Sequence, residues 1–158
     1  MRVWQVVIGF VVLVTALDAF ASQAAPADRW TVVCPAGSAT AASSCYLSFV
    51  TGDRASENWL GIAVHLVEGV PEVQVSSGGH EFSRAEINAR SDTTIVTDYC
   101  YGAYCVFVQA DELVEHFQEG ALADVWLYNG SDRPAVADKI SLLGFTKAYQ
   151  SYLDRVGE

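Results

Sequence analysis

Apolar and polar positions alternate along most of this chain, and short clusters of Gly, Ser, Asn or Pro interrupt the alternation at intervals of about ten residues. Trp30-Thr31-Val32-Val33-Cys34 predicts a first strand and Cys45 to Val50 a second, with a Gly/Ser/Ala loop between them. Trp59 to Val67 is β-branched and apolar, the pattern of a strand with both faces partly covered. Glu72-Val73-Gln74-Val75 alternates with period two and is ended by Ser76-Ser77-Gly78-Gly79. Glu81 to Ser91 is mixed and receives no firm assignment. Thr93 to Tyr99 leads into a hairpin that turns at Gly102 and returns from Cys105. Asp111 is placed to cap a short helix from Glu112 to Gln118, with Leu113, Val114 and Phe117 as its apolar face and Gly120 at its end. Leu122 to Tyr128 and Val136 to Leu142 read as strands around an Asn129-Gly130 turn, a strong hairpin signal. Phe145, Ala148, Tyr149 and Tyr152 fall at helical spacing, which predicts a closing amphipathic helix from Phe145 to Val156.

Many short strands with regular turns and no repeat or heptad run predict a mainly β fold. The expected architecture is an antiparallel two-layer β-sandwich or a partly closed barrel, with the short helix and the C-terminal helix covering an end or an edge.

The start of the chain changes the cellular setting. Met1-Arg2, an apolar run from Val3 to Leu17 and Ala19-Phe20-Ala21 have the order of a secretory signal peptide, cleaved after Ala21. The run is short of the ~20 apolar residues that span a bilayer, so no transmembrane anchor is expected after cleavage. Residues 22–29 read as a flexible lead-in and residues 30–158 as one domain. The formal net charge is −10, and it stays there when residues 1–21 are removed. Such a surface repels phosphate backbones, which argues against nucleic acid as a partner.

The four cysteines, Cys34, Cys45, Cys100 and Cys105, all lie beyond the signal peptide. An even number in an exported chain implies a disulfide framework. Three pairings are open to the sequence. Local pairing, Cys34 with Cys45 and Cys100 with Cys105, is the simplest because each pair flanks a turn-like segment; each short loop closed in this way is worth roughly 2 to 3 kcal/mol.

Catalytic chemistry finds little footing. His65, His80 and His116 are scattered, and Glu112 with His116 makes only an i, i+4 pair, short of a metal site; no H-E-x-x-H or paired C-x-x-C is present. The four-residue spacer between Cys100 and Cys105 differs from a thioredoxin-like C-x-x-C, which favours a structural staple over a redox pair. There is no G-x-S-x-G elbow, no S-x-x-K and no glycine-rich phosphate loop, so no catalytic residue, metal or cofactor is assigned. The suggestive feature is aromatic. Tyr99, Tyr101 and Tyr104 crowd the stapled turn as a candidate binding patch, although their β-like setting predicts that at least one faces inward. Trp30, Trp59 and Trp126 lie in apolar strands and are expected in the core.

Taken in order, Trp30-Thr31-Val32-Val33-Cys34, Cys45-Tyr46-Leu47-Ser48, Cys100-Tyr101-Gly102-Ala103-Tyr104-Cys105 and the closing Ile140-Ser141-Leu142-Leu143-Gly144-Phe145-Thr146-Lys147-Ala148-Tyr149 resemble the bacterial invasion-associated locus B family. The likeness runs from about Trp30 to Leu153. It departs from the family pattern at Phe49, where the family often has Gln, and from Val75 to Asp92, which lacks the family's Gly-Val repeats. The resemblance implies a secreted or periplasmic β-sandwich linked by its family name to host-cell invasion. It supplies no catalytic residues and carries over only the four cysteines, as structural bridges. The expected function is therefore non-enzymatic binding of a protein partner, a host membrane or an envelope component, in the periplasm or at the cell surface. The alternative is a periplasmic accessory factor, an inhibitor or chaperone-like subunit, with a hydrolase as a weaker third.

Overall fold

The computed structural model describes residues 29–35, 45–52, 54–55, 59–90 and 92–157. The expected signal peptide, most of the lead-in and most of the loop between the first two cysteines lie outside the described residues.

The described chain forms β1 (Thr31–Val33), β2 (Tyr46–Gly52), β3 (Trp59–Val67), β4 (Val70–Ser77), β5 (Arg84–Arg90), β6 (Thr93–Val96), β7 (Tyr99–Tyr101), β8 (Tyr104–Phe107), α1 (Asp111–Glu119), β9 (Leu122–Tyr128), β10 (Val136–Ser141) and α2 (Phe145–Val156). The strands make two antiparallel sheets rather than a closed barrel. The larger has six strands in the order β1-β2-β3-β4-β8-β7, and the smaller has four in the order β10-β9-β5-β6. Period-two alternation decides which residues meet between them. Leu47, Phe49, Leu60, Ile62, Val64, Val73, Val75 and Phe107 from the larger sheet, and Ala85, Ile87, Val125, Leu127 and Ile140 from the smaller, are buried in one core.

The smaller sheet is two strands narrower, and the helices complete the cover. α2 packs on β1 and β2, while α1 touches β4, β5 and α2. Trp30 is the centre of this corner, with ring centroids 5.1 Å from Phe49, 4.8 Å from Phe145 and 6.0 Å from Phe117. Its indole Nε1 donates to the Ser141 carbonyl at 3.0 Å, which satisfies the polar end of a buried side chain. On α2, the Tyr152 hydroxyl accepts from the Leu66 amide at 2.8 Å.

Several local expectations are corrected. Asp111 is the first helical residue and Ala110 the N-cap; the Asp111 carboxylate lies in the first turn, where the helix dipole favours it, instead of capping an amide. The mixed stretch from Glu81 to Ser91 contains β5, a central strand of the smaller sheet. Its pairing with β6 shifts register between Ile87 and Arg90, and that irregularity breaks the alternation in sequence. The run from Thr93 to Tyr99 is not one strand: β6 belongs to the smaller sheet and β7 to the larger, with Thr97 and Asp98 crossing between them. The Asn129-Gly130 pair opens a longer connection, because Leu127 already pairs with Val136. Of the tryptophans expected inside, Trp30 is buried, but Trp59 and Trp126 are half-buried.

Candidate functional site: the stapled tyrosine hairpin

The hairpin of β7 and β8 is built from a two-residue turn. Tyr101 pairs with Tyr104, leaving Gly102 and Ala103 as the link, and Gly102 has φ of +56°. A two-residue hairpin with glycine first places that residue in the left-handed region, where a Cβ would be strained. Cys100 lies directly opposite Cys105, and their sulfurs are bonded. The same arrangement recurs at the far edge of the sheet. Val33 pairs with Tyr46, so Cys34 and Cys45 form the next opposed pair, and they too are bridged.

Register then dictates where the tyrosines point. Cys105 is fully buried on the inner face, so its strand neighbours Tyr104 and Val106 belong to the outer face. Tyr99 is paired with Val106 and Tyr101 with Tyr104, which puts all three tyrosines on that outer face. Tyr99 is 52% exposed and Tyr101 71% exposed, and the rings of Tyr101 and Tyr104 are 5.8 Å apart. The expectation that one of the three turns inward is therefore corrected. Residues two apart on a strand share a face, and the cysteine pair takes the inner one.

Backbone and side-chain bonds fix the hairpin at both ends. At the turn, the Phe82 amide donates to the Gly102 carbonyl at 2.9 Å and the Ser77 amide to the Ala103 carbonyl at 3.4 Å. At the base, the Val108 amide donates to the Asp98 carboxylate at 3.0 Å, and the Asp98 amide donates to the Val106 carbonyl at 3.2 Å. Thr97 ties the crossing to β5: its amide donates to the Ala85 carbonyl and its Oγ1 accepts from the Ala85 amide, both at 3.0 Å. Asp98 and Thr97 were not singled out from sequence; a polar pair interrupting an apolar run just before the hairpin is the signal that marks them.

Other chemistry-bearing residues are placed less suggestively. His116 is buried on α1 with Nδ1 unpaired and Nε2 4.0 Å from the Glu112 carboxylate, which is exposed. Among the described residues no group of three or more His, Cys, Asp or Glu is placed to hold a metal ion. His65 pairs with Glu72 at 2.9 Å on the outer face of the larger sheet. Ser77, His80 and Asp138 line one cleft of about 290 Å³ between β3, β4 and β10. The Ser77 hydroxyl donates to the Trp59 carbonyl, which occupies the proton a nucleophilic serine must pass to a base.

The fold is similar to that of a known protein, the invasion associated protein B from Bartonella henselae. The two align with a TM-score of 0.61 over 84% of this chain and 97% of that one, at 14% sequence identity. No protein-family profile matches the chain, and no curated protein matches it. At this identity the likeness to the Bartonella protein speaks to architecture; the tyrosine hairpin is read from this chain's own residues.

Proposed function

We propose that this chain is an exported, non-enzymatic binding protein of the invasion-associated locus B type, which engages its partner through Tyr99, Tyr101 and Tyr104 in the periplasm or at the cell surface. The observation that carries the reading is that three tyrosines share one outer face on a hairpin closed by a disulfide. Tyrosine offers large contact area with few rotamers to immobilise, and a pre-ordered hairpin lowers the entropic cost of association. The signal-like start, the two bridges and the fold shared with the Bartonella protein support export and the family assignment. The Bartonella protein is named for invasion, and we read host-cell invasion as the setting for this chain. Among the described residues no helix is long and apolar enough to cross a membrane.

Cross-linkable mature protein, oxidised and offered in parallel to host-cell membranes and to the organism's own envelope extract, tests the reading. Capture of a host membrane protein, lost with Tyr101→Ala/Tyr104→Ala, supports a role at the host surface. Capture of an envelope component alone moves the function to a periplasmic accessory role. Capture that survives both substitutions removes the hairpin from the account.

A further inference from the structure

We propose that the outer face of the larger sheet carries a second binding site, a shallow trough that takes an uncharged sugar chain. The trough has a volume of about 380 Å³ and runs across β2, β3 and β4. That size falls in the ~300–1,000 Å³ range of small-molecule sites. Its floor is made of small residues, Ser48, Gly61 and Ser76 among them, so the sheet surface dips where bulky side chains would fill it. Gly61 is required there by its neighbour. A Cβ at position 61 would lie 2.9 Å from Cζ3 of Trp59, so the indole occupies space that only glycine leaves open. The Arg54 guanidinium stands 5.6 Å from that ring, and Tyr46 lines the trough.

Electrostatics and hydration select the ligand class. Arg54 and His65 line the trough, but His65 is already paired with Glu72, and the chain as a whole carries −10. One guanidinium cannot offset that field for an anionic ligand, and it repels a cationic one. A purely apolar ligand would strip water from the Gln74 amide and the Ser76 hydroxyl, which make no side-chain hydrogen bond among the described residues. A neutral, hydroxyl-rich ligand meets these groups with hydrogen bonds and lays a C–H face against the Tyr46 ring. A sugar chain has that chemistry, and a trough open to solvent admits a chain that continues past the residues it holds. Ser76 pairs with Tyr104, so the trough runs up to the hairpin, yet none of the three tyrosines lines it. The site therefore stands independently of the tyrosine patch.

The experiment titrates oxidised mature protein with neutral oligosaccharides by calorimetry. One arm uses neutral host-type N-glycans, a second uses neutral polysaccharide from the organism's own envelope, and a sulfated glycan is the control. Binding in either neutral arm is expected, and the arm identifies the source. Tyr46→Ala and Gln74→Ala should each weaken it by about tenfold or more, while Tyr101→Ala/Tyr104→Ala leaves it unchanged within about twofold. Gln74→Ala alters a half-buried surface side chain and keeps the fold, as its far-UV circular dichroism should show. Absence of neutral-sugar binding at millimolar concentration, a preference for the sulfated glycan, or affinity unchanged in folded Gln74→Ala overturns the proposal.

Discussion

The two edges of the larger sheet are built alike and used differently. Each ends in a three-residue strand, β1 on one side and β7 on the other, and each edge strand is bridged to its neighbour by directly opposed cysteines. Strands this short offer few ladder hydrogen bonds, and an unsecured edge is where a sheet frays or recruits another chain. At the β1 edge an aromatic residue turns inward: Trp30, just before the strand, enters an aromatic cluster with Phe49, Phe117 and Phe145. At the β7 edge the inner face holds the cystine, and the aromatic residues go to the outer face. One edge anchors the core and the other presents a surface. The cystine is the inner-face anchor at the β7 edge, and the register leaves the tyrosines on the outer face for contact.

The contrast can be broken most severely at the core edge. Trp30→Ala removes a buried indole from the aromatic corner and should destabilise the protein by about 3–5 kcal/mol in urea unfolding. Tyr101→Ala, with a side chain that is largely exposed, should stay within about 0.5 kcal/mol of wild type in the same assay. Equal losses would mean that the hairpin is as much core as the corner is.

Removing each staple sharpens the comparison. Cys34→Ala/Cys45→Ala opens a loop with sequence separation 11, and Cys100→Ala/Cys105→Ala one with separation 5. Loop-closure entropy puts the losses at roughly 3 and 2 kcal/mol respectively. Hydrogen exchange should locate the second loss in the hairpin amides, whereas the first should be global. The reverse ranking would show that the β7 edge depends on its bridge more than the loop lengths suggest.

Alkali probes the buried tyrosines of α2 at the core edge. Burial raises the Tyr152 hydroxyl above its ordinary value, partly opposed by the Leu66 amide that donates to it. Burial also raises Tyr149, with Tyr152 and Asp111 adding to the effect. A raised pKa means that the folded state binds the proton more tightly than the unfolded chain. The associated stability is present below the unfolded tyrosine value, about 10, and is lost as pH climbs through the folded values. Unfolding midpoints should therefore be insensitive to these groups at neutral pH and fall above about pH 10. Tyr152→Phe should cost about 1–2 kcal/mol at neutral pH, because Leu66 loses its acceptor, and should reduce the alkaline decline. An unchanged alkaline slope would remove Tyr152 as a source.

The smallest effect belongs to the base of the hairpin. Asp98→Ala deletes the acceptor for the exposed Val108 amide and should cost about 0.5–1 kcal/mol, seen mainly as faster exchange in β7 and β8. A slowdown, or no change, would show that the Thr97 crossing alone holds the base.

Much of this fold is readable from period-two alternation and turn residues, because one face of each strand meets a core. β3, β9 and α2 lie where that pattern places them. The failures share a physical cause: tertiary demands that local pattern does not carry. The register shift hid β5, and the crossing at Thr97 and Asp98 is invisible until two sheets exist to be crossed between. Trp59 reads as core by type and neighbourhood, but its half-buried position depends on space at Gly61, two residues away on the same face. For the candidate site, the residues were legible and their direction was not. The direction follows once Cys100 is known to oppose Cys105, a fact of pairing rather than composition.

The most direct test of the two-edge account compares tyrosines in one molecule. Limited tyrosine nitration of the oxidised, folded protein, mapped by peptide mass spectrometry, should modify Tyr101 and Tyr99 first, Tyr104 more slowly, and Tyr149 and Tyr152 only on unfolding. Addition of an extract that the protein captures should then protect the hairpin tyrosines alone. Hairpin tyrosines that resist the reagent in the free protein, or that react equally with partner bound, would contradict the claim that this edge is built to present them.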